Sequence, residues 1–319
     1  MSKTYTELQS RFVKLTKNSN SENTSFGQDL LNESIRTIAS INSGNFPWLE
    51  TVETIDSVAS QQKYVIPNNI RHIVDIYYVV GGNTYMPTII YDSGIWKQIL
   101  ASNLGESNFP QYVYIQNRTM YFAPTPSTST ATITIRGRLN IRDLGIEDYT
   151  TGTVITTTVG GTTITGTGTT WEDGMVGRYI KINNTTASNG GDGFWYKIAS
   201  VTSATILELA TGYQGSAITA GSATYTIGEV SPIPDAYSLA PVYRAAAIYW
   251  EYQNDEKKSQ RYWTRYDGGV EAGLSSNYGG IIGQMFEAER STVEGAYISP
   301  NQITQINPNN PQQDASGFS

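Results

Sequence analysis

The chain has 319 residues and a formal net charge of −7, and it contains one histidine and no cysteine. The acidic balance argues against the basic surface with which proteins usually bind nucleic acid. The lack of cysteine excludes disulfides, thiolate nucleophiles and cysteine metal sites, and a single histidine excludes a His-rich metal site. No run of about 18 apolar residues is present, so the sequence predicts no membrane-spanning helix, and MSKTYTELQSRF lacks the apolar core of a signal peptide.

Two helices are predicted at the N-terminus. The first covers residues 3–16, and NSNSENTS follows it as a polar loop. The second is expected to begin at Phe26 with Ser25 as its N-cap, to end at Ser43 and to be closed by Gly44. Its apolar stripe consists of Leu30, Leu31, Ile35, Ile38 and Ile41. We expect this stripe to pack against a helix far along the chain.

Residues 46–149 are predicted to form a β-rich domain, because the apolar pattern changes to a period of two from Thr51 onward. Gly81-Gly82-Asn83 and Gln116-Asn117-Arg118 are expected at the tips of two hairpins. SGIWKQILAS, which begins at Ser93, is expected to be a short helix, and ATITIRGRLN another strand.

Residues 150–230 differ in composition, since threonine and glycine dominate and β-branched runs recur between glycine turns. Short strands at this spacing are typical of a small β-sandwich or barrel. The segments on both sides belong to other layers, so we expect a domain inserted into a loop, with Tyr149 and Val230 close together.

One long helix is predicted from Pro234 or Asp235 to Asp267, where Gly268 and Gly269 end it. About thirty residues would make a rod of about 45 Å. The three alanines at 245–247 would let another helix approach closely, and the aromatic side chains suggest partners on more than one side. As residues of an interaction surface we single out Trp250, Tyr252, Trp263 and Tyr266.

The sequence after residue 275 is rich in Asn, Gln, Gly, Ser and Pro, a composition that cannot bury enough apolar surface to order itself. We therefore expect residues 276–319 to form an extended arm that runs across a neighbouring copy or a partner protein. Its candidate anchors are Ile281, Ile282, Met285, Phe286, Tyr297, Ile298 and Ile303.

These elements predict an α+β fold in four parts. Residues 1–45 and 231–275 form a helical domain, 46–149 a β-rich domain, 150–230 an inserted β-sandwich or barrel, and 276–319 the arm.

No motif in the chain predicts catalysis. The glycines at 166–170 precede no helix and no lysine, which excludes a phosphate-binding loop, and Asp192 alone is a weak calcium ligand. His72 is the one histidine that a Ser-His-Asp triad could use, and a structural or surface role suits it better. Counting cannot exclude a pair of catalytic carboxylates, but no Asp or Glu has a sequence environment typical of a buried acid. We expect no enzymatic activity and no cofactor.

Several features follow one another in a fixed order along the chain. A helix with an internal Asn leads to a Trp, and a Q-x-x-Y-x-x-P strand follows at Gln61, Tyr64 and Pro67, all within FGQDLLNESIRTIASINSGNFPWLETVETIDSVASQQKYVIPNNIRHIVDIYYVVGG. A Trp-bearing segment at Gly94-Ile95-Trp96 comes next, and a late helix from Pro234 and Leu239 follows. This order of elements resembles that of tailed-bacteriophage head-to-tail adaptor (connector) proteins of the tail tubular protein A-like kind. The Thr/Gly segment resembles inserted β-domains of some adaptors.

The resemblance covers most of residues 20–275 and brings no catalytic residues. It implies a structural protein of the virion neck, assembled in the host cytoplasm as a ring of twelve copies between portal and tail. Its partners would be the portal protein and a distal tail or nozzle protein, and DNA would pass through the channel without specific binding. A glycan-binding or receptor-binding surface protein is the alternative, since Trp171, Trp195, Tyr196 and Tyr213 could stack on sugars. A glycan hydrolase with two carboxylates is a third.

Overall fold

The computed structural model describes residues 2–41, 46–102, 104–156, 159–183, 191–268 and 280–285. Helices and several β-sheets occur together, which confirms the α+β class. Across the described ranges, none of the helices has both the length and the apolar composition that crossing a bilayer requires.

Two antiparallel helices open the chain, α1 at Tyr5–Thr16 and α2 at Ser21–Ser40. Thr4 and Glu7 form a capping box at the start of α1. The prediction for the start of α2 was wrong, because α2 begins five residues before Phe26 and Ser25 lies inside it. Tertiary contacts explain the earlier start, since Gln9 Nε2 donates to the Thr24 carbonyl across the hairpin at 2.9 Å. The predicted end at Ser43 and Gly44 lies outside the described residues.

The β-rich segment folds as two four-stranded sheets. After a 3₁₀ turn at Pro47–Leu49, its elements are β1 Glu50–Asp56, β2 Lys63–Val65, β3 Ile70–Val80, β4 Asn83–Tyr85, β5 Thr88–Ile90, α3 Ser93–Ala101, β6 Glu106–Ser107, β7 Tyr112–Gln116, β8 Thr119–Ala123, β9 Thr125–Pro126 and β10 Thr132–Leu139. One sheet has the order β1-β10-β3-β4, the other β2-β8-β7-β5, and β6 pairs with β9. A single apolar core includes side chains from both four-stranded sheets, so the segment is a sandwich.

The expected hairpin of β7 and β8 has Asn117 and Arg118 as its two central residues, with φ of 49° and 59°. Positive φ at both positions is the signature of a type I′ turn. The Arg118 guanidinium donates to three carbonyls, those of Ile66 (3.3 Å), Pro67 (2.8 Å) and Ile70 (3.3 Å). The hairpin tip thereby holds the end of the Q-x-x-Y-x-x-P segment in place.

The threonine-rich segment forms a seven-stranded sheet with its own core. The strands are β11 Thr153–Thr156, β12 Thr163–Thr167, β13 Tyr179–Ile182, β14 Trp195–Ser203, β15 Ile206–Leu209, β16 Ile218–Ala223 and β17 Tyr225–Gly228, in the order β16-β11-β12-β15-β14-β13-β17. The two edge strands β16 and β17 are separated in sequence by Thr224 alone, so the end of one edge strand lies beside the start of the other. Of the two predicted forms, this arrangement favours the barrel, and we name the segment the barrel.

The barrel enters and leaves the rest of the chain at one place. Tyr149 and Ile227 exchange two backbone hydrogen bonds of 2.8 Å, and Val230 pairs with Thr4. The flanks of the segment are therefore neighbours, as an inserted domain requires.

The predicted long helix was wrong as a single rod. After a 3₁₀ turn at Asp235–Tyr237, α4 covers Ala240–Tyr252 and α5 covers Glu256–Asp267. Asn254 takes a left-handed φ of 56° between them, and Asp255 caps α5 by accepting from the Lys258 amide at 3.1 Å. The helix therefore stops and turns back, and α5 packs along α4.

All four long helices share one core, in which α2 packs against α4, a helix far along the chain, as the apolar stripe of α2 predicts. Val242, Ala245 and Tyr249 lie in the core with Ile35 and Ile38 of α2. Ala246 and Ala247 belong to a second cluster with Tyr262, in which α5 makes the close approach that small residues permit.

Candidate interaction surfaces

The four aromatic residues singled out on the late helices have different surroundings. Tyr266 is buried in the helical core, so it is not available to a partner. Trp250 and Trp263 are half-buried and pack against that core, and Tyr252 is 71% exposed. The accessible parts of the predicted set are therefore Tyr252 and the exposed portions of the two tryptophan side chains.

Polar contacts hold these rings in fixed positions beside the α4–α5 turn. The Lys258 ammonium lies 3.8 Å from the centroid of the Trp250 ring, a cation–π contact. Trp263 Nε1 donates to Glu251 Oε1 at 2.6 Å, and the same oxygen accepts from Ser259 at 3.3 Å. The result is a rigid amphipathic corner, which suits protein recognition because little side-chain entropy remains to be lost on binding.

Two of the predicted arm anchors lie in the core of their own chain. Residues 280–285 form one helical turn and a half, in which Ile282 and Met285 are almost completely buried among the helices. Ile281 is half-buried against the same core. Ile281, Ile282 and Met285 therefore contact their own chain, which corrects the expectation that they fill pockets of a neighbour. Phe286, Tyr297, Ile298 and Ile303 lie outside the described residues.

An apolar surface around α3 was missed by the sequence analysis. Only Trp96 of this helix is buried. The large apolar side chains that are exposed between positions 86 and 109 form what we name the α3 patch: Met86, Tyr91, Ile95, Leu100, Leu104 and Phe109. Six large exposed apolar side chains within 24 residues of sequence make this segment a candidate partner surface.

The four barrel aromatics do not form an exposed row. Trp171, Tyr196 and Tyr213 are buried in the barrel core. Trp195 is half-buried, lies under the Lys181 ammonium at 4.6 Å and donates from Nε1 to the Ser2 carbonyl at 3.2 Å. Sugar-binding aromatics need an open face on which a ring can stack, so this placement counts against glycan binding by these residues.

The glycine turn with Asp192 is a hydrogen-bonded cap. The carboxylate accepts from the Phe194 amide at 3.0 Å and from the Tyr196 hydroxyl at 2.5 Å. Burial, together with the hydrogen bond to Asp192, raises the pKa of Tyr196 to about 12. In the described part of the chain, no group of three or more His, Cys, Asp or Glu residues is arranged to hold a metal ion.

One carboxylate has the buried setting that the sequence did not reveal. Burial raises the pKa of Asp148, against the hydrogen bonds it makes with Thr4 and Thr6 and the nearby charge of Arg178. Thr4 Oγ1 donates to Asp148 Oδ2 at 2.8 Å, and the Asp148 amide donates to Thr6 Oγ1 at 2.9 Å. These contacts tie the segment before the barrel to the start of α1, which gives Asp148 a structural role at the joint.

His72, the only histidine, is exposed on β3, where it lies opposite Arg138 of β10 in the register of the sheet. The predicted surface role fits this position.

Residues 3–158 match the family model described as SU10 adaptor protein. The matched segment is slightly less than half of the chain, and it holds α1, α2, the whole sandwich and the first barrel strand. No curated protein is significantly similar to the chain. Over these residues, the chain is therefore similar to a family of phage adaptor proteins.

Proposed function

We propose that this chain is a head-to-tail adaptor that forms a ring between the portal and the tail and continues the DNA channel. The observation that carries the proposal is the match of residues 3–158 to the SU10 adaptor model, because it covers the N-terminal helical pair and the complete β-sandwich. The tail tubular protein A-like organisation, the twelve copies and the position in the virion neck belong to the proposal.

Two features of the chain support it. An acidic protein of net charge −7 repels phosphates, so DNA can pass a ring of such subunits without specific binding. The α3 patch and the α4–α5 corner are separate accessible surfaces with apolar character, as a subunit with more than one protein neighbour needs. The neighbours would be the portal protein, a distal tail or nozzle protein and further copies of the chain.

No observation favours the alternatives at the same level. The barrel aromatics are buried or covered, which removes the main argument for a glycan-binding protein. Asp148, the one carboxylic acid among the described residues whose pKa is clearly raised, is held by Thr4 and Thr6 at a joint between segments. We therefore propose a non-enzymatic role.

The proposal is tested with the purified chain and the purified portal protein of the same virus. Light scattering coupled to size-exclusion chromatography should show a complex whose added mass is about twelve copies of the chain, and imaging should show a ring on one face of the portal. Electron microscopy of virions with this chain labelled should then place the label between capsid and tail. A label on the tail fibres, or specific binding to host glycans, would contradict the proposal.

A further inference from the structure

The first helix carries a basic surface on a chain that is acidic overall. We name Lys3, which precedes the N-cap Thr4, together with Arg11 and Lys14 of the helix, the basic stripe of α1; the three residues line a groove between α1 and the residues 235–239 before α4. The groove has a volume of about 730 Å³, with Leu8 and Leu239 among its lining residues. Lys3 pairs with Glu7 at 3.7 Å, whereas Arg11 and Lys14 form no ion pair with any described residue.

The second helix carries the opposite charge. Glu22, Asp29 and Glu33 are exposed and recur at spacings of seven and four residues, which places them on one face of α2. We name them the acidic stripe of α2. Glu33 pairs with Arg244 at 3.1 Å, but Glu22 and Asp29 find no cation among the described residues.

Both stripes point away from the core of the helical bundle. The buried residues of α1 are Tyr5, Leu8, Gln9, Phe12 and Thr16, and those of α2 include Leu31, Ile35 and Ile38, whereas the charged residues of the stripes are exposed or half-exposed. One molecule therefore presents a basic and an acidic helix face that do not neutralise each other. Two different complementary faces on one subunit produce a head-to-tail contact, and repetition of that contact produces a ring where the rotation closes.

We propose that the basic stripe of α1 on one copy docks against the acidic stripe of α2 on the next copy. This inference rests on the proposed ring and adds the residues that hold neighbouring subunits together. Charge complementarity sets the register and suppresses wrong pairings, because Arg11 or Lys14 against the same helix of a second copy would place like charges together.

A second copy fits the groove better than nucleic acid does. Glu7 and Asp235 line the same groove as the basic stripe, and their carboxylates would face phosphates at close range. The same carboxylates repel the acidic stripe of a neighbouring copy. That stripe can therefore dock favourably only along the part of α1 that contains Arg11 and Lys14.

The first test uses charge reversal on each stripe. R11E/K14E makes both stripes acidic, and E22K/D29K makes both basic; each substituted residue is exposed and outside the core, so the variants should fold. Each variant alone should lose ring assembly on the portal at least about tenfold, because every contact between copies becomes repulsive. An equimolar mixture should assemble again, because alternating copies put opposite charges together at every contact.

The second test does not require a complete ring. The chain has no cysteine, so the single-cysteine variants R11C and D29C each carry one reactive thiol. The two variants are mixed in equal amounts and crosslinked with a short bis-maleimide. Random collisions would then give about twice as much heterodimer as either homodimer. We expect an excess of the R11C–D29C heterodimer of at least about fivefold over this ratio, lost in high salt. E172C, on an exposed residue of the barrel segment, is the control partner for R11C and should give the random ratio.

The outcomes separate this inference from the proposed function. If the wild-type chain joins the portal and both charge-reversed variants do so equally well, the stripes do not form the contact between copies, and the proposed ring is not contradicted. If the wild-type chain never joins the portal, the proposed function fails, and the crosslinking ratio still decides the pairing. A random crosslinking ratio overturns the inference. A defect of R11E/K14E that is confined to binding of DNA also overturns it. The inference is likewise wrong if deletion of the acidic segment 286–319 alone abolishes the R11C–D29C excess.

Discussion

Asn32 and Leu144 exchange two hydrogen bonds in the interior of the protein. Asn32 Nδ2 donates to the Leu144 carbonyl and the Leu144 amide donates to Asn32 Oδ1, both at 2.8 Å. The Asn32 side chain forms the reciprocal pair of hydrogen bonds that a neighbouring β-strand would otherwise form. It thereby holds the segment between β10 and the barrel against α2. The internal Asn of the N-terminal helix, which was noted for its resemblance to adaptors, therefore has a structural function.

The Asn32 side chain is expected to be important for stability. Asn32→Ala leaves the buried Leu144 amide without an acceptor, at a cost of about 1–3 kcal/mol in the free energy of unfolding. The carbonyl keeps a second donor, Gln28 Nε2 at 3.3 Å, so Gln28→Ala should cost less. Urea unfolding of both variants measures the difference, and equal costs would contradict this account.

The packing of α2 against α4 gives a second prediction. Ile35 is 1% exposed in the helical core, so Ile35→Asp should lower the free energy of unfolding by several kcal/mol by burying an unpaired charge. Ser25→Asp, on the exposed side of the same helix, should change it by less than about 0.5 kcal/mol. Thermal unfolding followed by circular dichroism tests the pair. Similar melting temperatures for the two variants would show that the helical core tolerates a charge at Ile35.

The residues 280–285 should contribute to the stability of the single chain. A stop after Met285 keeps the buried Ile282 and Met285 side chains, whereas a stop after residue 279 removes both. Met285→Ala should cost about 2–5 kcal/mol, as large-to-small substitutions in a core do. The shorter truncation should therefore retain the melting temperature of the full chain, and the longer one should lower it. Equal melting temperatures of the two truncated chains would contradict the burial of this segment.

Local signals in the sequence were sufficient for most elements of the fold. Asn117 and Arg118 identified a hairpin because the two-residue turn needs residues that tolerate positive φ. The apolar stripe of α2 predicted contact with a distant helix because an amphipathic face has to be covered. Such features depend on a few neighbouring residues and are visible without knowledge of the tertiary structure.

The remaining features depend on tertiary interactions that periodicity does not encode. Apolar and aromatic residues continue on both sides of Asn254, so the pattern suggested one rod, and a single left-handed residue divides it. The polar composition of residues 276–319 concealed the short apolar run that holds Ile282 and Met285. Ile95 and Leu100 of α3 are exposed, and the spacing of apolar residues does not show whether their own chain or a partner covers them.

Asp148 should make stability depend on pH in a predictable direction. Burial raises its pKa in the folded protein above the unfolded value of about 3.9. The folded state then holds its proton more tightly, so the stabilisation is complete below the unfolded pKa and is lost as the pH rises through the folded pKa. Asp148→Asn removes this titration. The free energy of unfolding of the wild type minus that of the variant should therefore fall as the pH rises above the unfolded pKa of about 3.9 and through the folded pKa.

Urea unfolding at a series of pH values measures that difference, and Glu172→Gln, at an exposed carboxylate, is the control. A difference between wild type and Asp148→Asn that stays constant with pH, or rises with it, would show that the carboxyl is not buried at the joint as described.

The barrel should be removable without loss of the remaining fold. Tyr149 and Ile227 form a backbone hydrogen-bonded pair, so the two ends of the segment lie about 5.5 Å apart and a linker of about three Gly and Ser residues can join them. Residue 229 has to remain, because the Glu229 carboxylate accepts from the amides of Gly145 (2.6 Å) and Ile146 (2.8 Å).

Deletion of residues 150–228, with that linker in place, removes the core of the barrel and leaves the core of the helical bundle. The two cores share no buried residue. Polar interactions cross the boundary between them, among them the hydrogen bond from Trp195 Nε1 to the Ser2 carbonyl. Calorimetry of the shortened chain should therefore show a single cooperative transition, with a midpoint within a few degrees of the transition of the helical bundle and sandwich in the full chain. A control deletion that also removes Glu229 should lower this midpoint, since the amides of Gly145 and Ile146 lose their acceptor. A shortened chain without any cooperative transition would show that the barrel is an integral part of the fold and not an inserted domain.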